Sequence, residues 1–244
     1  MELIVIADAH LGTKPQDVEN LIQFIQSLDP LKQEIVFLGD LFHIWAGPSK
    51  HHTPQVDQFL RHLGRFNQNG GKANLVVGNR DIFFPEFSQN SFPKLPFFAI
   101  AGNFLHIQLG SKKISFIHGD TVNSQDQQYL KWRRIVRHTL LKRFFDFVPP
   151  FISKIIMVGL EKKLKQTNPE FRRFFPMEEW ERYLFEVEQL YHSYLLIVGH
   201  FHPKDPIITK ATHVTGIVLP DWHASRRYLK IKQSGHYHIS QYDP

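Results

Sequence analysis

Five short apolar runs in this 244-residue chain stop in the same way, at an acid, an imidazole or an amide, most of them beside a glycine. Leu3-Ile4-Val5-Ile6-Ala7 runs into Asp8-Ala9-His10, and Glu34-Ile35-Val36-Phe37-Leu38 into Gly39-Asp40. Ala73 to Val77 leads to Gly78-Asn79-Arg80-Asp81, Lys113 to Ile117 leads to His118-Gly119-Asp120, and Tyr194 to Val198 leads to Gly199-His200-Phe201-His202. Near-continuous apolar runs of this length predict strands covered on both faces. Between the first three lie Val18 to Leu28 and Val56 to Phe66, with apolar residues at helical spacing, so the order strand, helix, strand predicts an α/β layered core.

Two further stretches read differently. Thr212 to Leu219, Arg227 to Lys232 and Gly235 to Ile239 read as consecutive strands of a terminal antiparallel part, with turn signals at Pro220-Asp221 and Ser234-Gly235. Residues 121–193 show no strand pattern. Trp132, Ile135, Val136, Leu140, Phe144 and Phe147 predict one helix stopped by Pro149-Pro150. Ile152, Ile155, Ile156 and Leu160 start another, and a third runs from Met177 to about Tyr191. This segment reads as a helical insertion between two core strands.

In open α/β sheets ligands bind beyond the carboxyl ends of strands, where Asp8, His10, Asp40, Asn79, His118, His200 and His202 all fall. Seven oxygen and nitrogen donors suit two cations: Asp bridges ions, His supplies neutral nitrogen, and the Asn oxygen is a hard neutral donor. Two such ions, roughly 3.5–4 Å apart, clamp a phosphoryl group and lower the pKa of the water between them. An Asp after a strand is often a helix cap, and a lone buried His is usually a core residue. One such element per strand end is much harder to explain as packing.

Composition narrows the alternatives. A hydrophobic fraction of 42% supports a real core, and the absence of cysteine removes disulfides, thiolate zinc sites and a Cys nucleophile. Met1 to Asp8 lacks the basic start and long apolar stretch of a secretory signal, and no uninterrupted apolar run approaches the ~18 residues of a membrane span. The formal charge of +6 is concentrated: Lys131 to Lys165 holds ten Lys or Arg against Asp146 and Glu161, leaving the rest slightly acidic. Such a segment attracts phosphates on nucleic acid, nucleotides or an anionic membrane face.

The ordered set Asp-x-His, Gly-Asp, Gly-Asn, His and Gly-His-x-His resembles the calcineurin-like metallophosphoesterase superfamily. That resemblance implies a β-sandwich core flanked by helices, over 1–120 and 194–244, with 121–193 as a helical cap. It also implies one metal on Asp8, His10, Asp40 and His202 and a second on Asp40, Asn79, His118 and His200, with Asp40 bridging. Most of the superfamily has His where this chain has Arg80. Gly78-Asn79-Arg80-Asp81, Gly39-Asp40-Leu41-Phe42 with Trp45, His118-Gly119-Asp120-Thr121 and Asp221-Trp222-His223 resemble the UDP-2,3-diacylglucosamine diphosphatases of lipid A biosynthesis. Departures are His43 where that family usually has Glu, and Pro48 where it usually has Asp.

The narrower resemblance implies a manganese-dependent hydrolase, cytoplasmic and peripheral on the inner face of the inner membrane, that yields UMP and a diacylglucosamine 1-phosphate. Arg80, a planar permanent cation, is expected to offset charge on the diphosphate, and His10 either protonates the leaving phosphate or only holds the metal. Asp126 and Tyr129 match the spacing of an Asp and a Tyr in that family, and with Asn79, Arg80, Trp132, Arg133 and His200 they are expected to contact the substrate. The insertion interleaves Trp132, Phe144, Phe145, Phe147, Phe151, Ile152, Ile155, Ile156 and Leu160 with Arg133, Arg134, Arg137, Lys142 and Arg143, as an interfacial helix does. The plainer reading is a hairpin packed on itself with solvated charges. Rival functions are a soluble metallophosphatase on another nucleotide diphosphate or phosphoester, a nuclease, and a non-catalytic scaffold. The apolar stretch beside the charge argues against nucleic acid, and a complete ligand set argues against the scaffold. Of the remaining histidines, His223 has the best claim to the site.

Overall fold

The computed structural model describes every residue except 13, 44, 46–51, 82–83, 85–94, 139, 142–143, 145–146, 150, 153–154, 157–158 and 160–174. Two sheets carry the fold. In the first, β1 (Glu2–Ile6), β2 (Gln33–Phe37), β3 (Lys72–Val76) and β4 (Ala99–Ala101) run parallel, joined through helices α1 (Pro15–Gln26) and α2 (Pro54–Gln68). The second holds β5 (Leu105–Leu109), β6 (Lys112–Ile117), β7 (Leu195–Val198), β8 (Ile207–Lys210) and β9 (Thr215–Val218), in the order β5-β6-β7-β9-β8. The chain then returns to the first sheet, where β10 (Arg227–Lys232) pairs antiparallel with β1 and with β11 (Tyr237–Gln241).

Strand alternation explains the layers. Ile4, Ile6, Ile35, Phe37, Leu75 and Val77 pack outward against Val18, Leu21, Ile25 and Phe59 of α1 and α2. Leu3, Val5, Val36, Leu38 and Val76 point the other way, onto Phe116, Leu195, Ile197 and Ile217 of the second sheet. The outer face of that sheet, Ile117, Leu196, Val198 and Val218, is covered by Trp180, Leu184 and Val187 of a later helix, α4 (Met177–Tyr191). Each central strand therefore buries both faces, which is why its sequence is an apolar run rather than an alternation. Full burial of one such side chain is worth about 1.5–3 kcal/mol.

Two expectations need correction. The strands after His202 do not form one antiparallel unit: β9 lies parallel to β7 in one sheet, while β10 and β11 belong to the other. Pro220-Asp221 is not a hairpin turn but a crossing between sheets, closed by the short helix α5 (Trp222–Ser225), whose Trp222 N–H donates to Ala7 O at 2.7 Å. The helix expected from Trp132 to Phe147 is also interrupted. Helix α3 (Gln127–Val136) ends at Arg137, whose guanidinium donates to the carbonyls of Gly102, Val77 and Gly78 at 2.9, 3.2 and 3.1 Å. Pro48, Lys142, Arg143, Phe145 and Leu160 lie outside the described residues.

Candidate metal centre

The carboxyl ends of β1, β2 and β3 face those of β6 and β7, and the loops there are locked by backbone hydrogen bonds. His10 N donates to Asp40 O (3.0 Å), Leu11 N to Leu41 O (2.9 Å) and His43 N to Leu11 O (2.7 Å). Seven non-glycine residues among those described have positive φ, and Asp8, His10, Asp40, His200 and His202 are five of them. Left-handed backbone is disfavoured for residues with a Cβ, so its concentration on five candidate ligands marks a functional rim. Close approach demands glycine in two places. A Cβ on Gly78 would lie 2.3 Å from Asp40 N and Oδ1, and one on Gly199 would lie 2.7 Å from Asp8 Oδ2.

All seven expected ligands meet at this rim. Ligand atoms of Asp8, His10 and His202 lie within 4.8 Å of one another, as do those of Asp8, Asp40 and His118. Asp8 is thus common to both groups, whereas Asp40, the expected bridge, falls in the second. Asn79 Oδ1 lies 2.9 Å from His118 Nε2 and 3.0 Å from His200 Nδ1. His118 presents Nε2 because its Nδ1 lies 2.7 Å from Leu38 O. His200 N donates to Asp8 Oδ2 at 2.8 Å.

The charge pattern is that of a cation site. Burial pushes His10 and His200 down to about 3, so both are neutral donors at pH 7. Burial works against the Asp8 anion, but His202, His118 and His10 outweigh it and hold its carboxyl below the usual range. Burial, with Asp8 beside it, raises Asp40. For His118 and His202 burial disfavours charge, but Asp40 raises the first and Asp8 lifts the second to about 9. Asp8 Oδ1 and His10 Nδ1 are buried without a hydrogen-bond partner. Crowded acids, neutral imidazoles and such unsatisfied atoms fit divalent cations, whose binding to these side chains competes with protons.

Other expected residues are placed as follows. Arg80 turns onto Asp40, its N–H donating to Oδ1 at 2.8 Å and its Nε lying 3.5 Å from Oδ2; Nη1 donates to His43 O at 3.4 Å. Asp126 caps α3 by accepting from Tyr129 N. Tyr129 Oη and Arg133 Nε both donate to Asp120 Oδ2, at 2.5 and 2.6 Å, and Arg133 also reaches Asn103. Trp132 is half-buried against the α1–α2 core. His223 stands 6.1 Å from the His10 ring, with Nδ1 3.6 Å from buried Asp17. Sequence reasoning passed over Asp120, Asp81 and Arg137. Asp81 accepts from Gly78 N at 2.9 Å, and burial pushes it up to about 7. Both aspartates lie in strand-end motifs; Arg137 has no local signal.

A family model described as calcineurin-like phosphoesterase matches residues 1–204. A curated protein of Histophilus somni (strain 2336), named UDP-2,3-diacylglucosamine hydrolase, is 28% identical over 233 residues, 94% of this chain and 96% of that one. A protein of the same name from Haemophilus influenzae is 30% identical over 236 residues, 95% of each chain. A solved archaeal phosphodiesterase aligns over 98% of this chain and 99% of its own, at 10% identity and a TM-score of 0.47.

Proposed function

This chain belongs to the calcineurin-like phosphoesterase family, whose members hydrolyse with divalent metal, and from that premise we propose a specific substrate: it cleaves the diphosphate of UDP-2,3-diacylglucosamine to UMP and 2,3-diacylglucosamine 1-phosphate, in lipid A biosynthesis. The observation that carries the reading is the pair of acid and imidazole clusters sharing Asp8 at a rim of left-handed backbone. In this reading one ion would be held by Asp8, His10, Asp40 and His202 and the other by Asp40, Asn79, His118 and His200, with Asp8 near both. When bound, they supply Lewis-acid stabilisation to the phosphoryl group. Mixed carboxylate, amide and imidazole ligation suits Mn²⁺.

The chain's own residues do the rest. Arg80 is a permanent cation in a planar fork, and from its seat beside Asp40 it offsets charge gathering on the diphosphate. Asn79 and His200 face the same group. His10, held near 3, has no proton to give at neutral pH, which favours its role as a ligand over that of an acid. Asp126, Tyr129, Trp132 and Arg133 contact the substrate in this reading, which is supported for Tyr129 and Arg133 by their bonds to Asp120, two residues from His118.

Ile135 in α3 and, beyond it, Leu140, Phe144, Phe147, Phe151 and Ile155 are all exposed, Phe147 at 85%. Exposed Lys131 and Arg134 lie nearby in sequence. This supports a cytoplasmic enzyme resting on the inner face of the inner membrane through residues 121–193, where a diacylated substrate resides. No helix of the described residues is long and apolar enough to cross a membrane.

The test offers the protein UDP-2,3-diacylglucosamine with Mn²⁺ and follows UMP by chromatography, beside a generic phosphomonoester. UMP release that disappears in Asp40→Ala is the expected result. Turnover of the monoester alone would overturn the lipid substrate.

A further inference from the structure

Asp221 splits its carboxylate between two tasks. Oδ1 accepts from Ala224 N at 2.7 Å and caps helix α5. Oδ2 lies 3.8 Å from Nδ1 of His202, while the other nitrogen of that imidazole, Nε2, lies 3.2 Å from Asp8 Oδ1. The ring therefore stands between two carboxylates, with its metal-facing edge toward Asp8 and His10 and its back edge toward Asp221.

The mount under Asp221 is rigid. Trp222 is fully buried, packs 4.9 Å from Phe24 and 5.9 Å from Tyr242, and donates its N–H to Ala7 O, one residue before Asp8. Ser225 Oγ donates to Asp221 O at 2.5 Å, and Arg226 closes the turn in left-handed conformation. A carboxylate fixed this way differs from one on a mobile surface side chain. His202 needs such a partner, because its side chain is 38% exposed and its own backbone sits at φ +47°.

Histidine ligands commonly pass their second ring N–H to a carboxylate, which sets both the tautomer and the ring's orientation. We propose that Asp221 is a positioning residue for His202: its carboxylate, 3.8 Å from Nδ1, favours the proton on that nitrogen and so directs Nε2 to an ion held with Asp8 and His10. The inference rests on the metal-centre reading above and assigns to the C-terminal crossing a share in building one of the two ion sites.

The test titrates metal-stripped full-length protein with Mn²⁺ by calorimetry. Asp221→Asn keeps a good helix cap while replacing the carboxylate with an amide, and Asp221→Ser keeps the cap with a side chain too short to reach His202. In both, one of two Mn²⁺ should bind about 10- to 100-fold more weakly, the other should keep its affinity, and the melting temperature of the metal-free protein should stay unchanged. Wild-type affinity for both ions in Asp221→Asn overturns the inference, and so does a lowered metal-free melting temperature in both variants, since that is a folding role. Failure of the wild-type protein to take up Mn²⁺ would instead bring down the metal-centre reading, so the two failures are distinguishable.

Discussion

Five side chains at the rim accept a backbone conformation that costs of order 1–3 kcal/mol each. Glycine at those positions would relieve the strain and delete the ligands, so the strain is tied to what these residues do. The reverse substitution is the sharper probe. In Gly78→Ala the new methyl group enters the space of Asp40 N and Oδ1, at 2.3 Å, and displaces that carboxylate. Turnover should fall by roughly 100-fold or more, the scale of a 1 Å misplacement, measured as kcat/KM with saturating Mn²⁺. Undiminished turnover would show that Asp40 need not stay where it is. The candidate ligands stood out in the sequence because they gather at the ends of five strands, four of them with a glycine alongside. Asp221 and Arg137 did not, because their partners lie far away along the chain: His202 for the first, and Val77, Gly78 and Gly102 for the second.

Elements were legible in proportion to their burial. The central strands and α4 stood out because unbroken apolar runs or a clear helical stripe identify them. Strands β4, β5 and β8 were missed: β4 has three residues, and β5 and β8 are edge strands with partly exposed alternate positions, so their sequences resemble loops. Helix α3 ended early for a reason outside itself, since the pull of three carbonyls on Arg137 is invisible to periodicity. Past that end Leu140, Phe144, Phe147, Phe151 and Ile155 are exposed, while Leu141, Val148 and Ile156 pack on the core. Phe147→Asp combined with Phe151→Asp should abolish cosedimentation with anionic phospholipid vesicles while leaving the melting temperature unchanged. Retained cosedimentation would send the search for a membrane contact elsewhere.

The molecule as a whole carries a pH signature. His10 and His200 sit near 3 when folded and at the model-peptide value of 6.5 when unfolded. Between those limits these two side chains bind more protons in the unfolded chain, so each takes stability from the metal-free protein as pH falls from about 6.5 toward about 3, while Asp81, pushed up to about 7, and Asp40, also raised, work in the opposite direction. His202 also opposes His10 and His200: its stabilisation is present below 6.5 and lost as pH rises through about 9, and solvent screening reduces it. The contribution of one histidine is isolated by difference: in thermal melts of metal-stripped protein, His200→Asn should gain on wild type as pH falls below about 6.5. A difference between the two that stays constant down to about pH 4 would contradict the burial argument. Asp8, Asp40 and Asn79 come from one sheet, and His118, His200 and His202 from the other. A divalent ion seated among them would stitch the two halves of the sandwich together at one end. Stripping the metal should then open the seam there first, so that a chelator speeds limited proteolysis at that end while added divalent cation slows it.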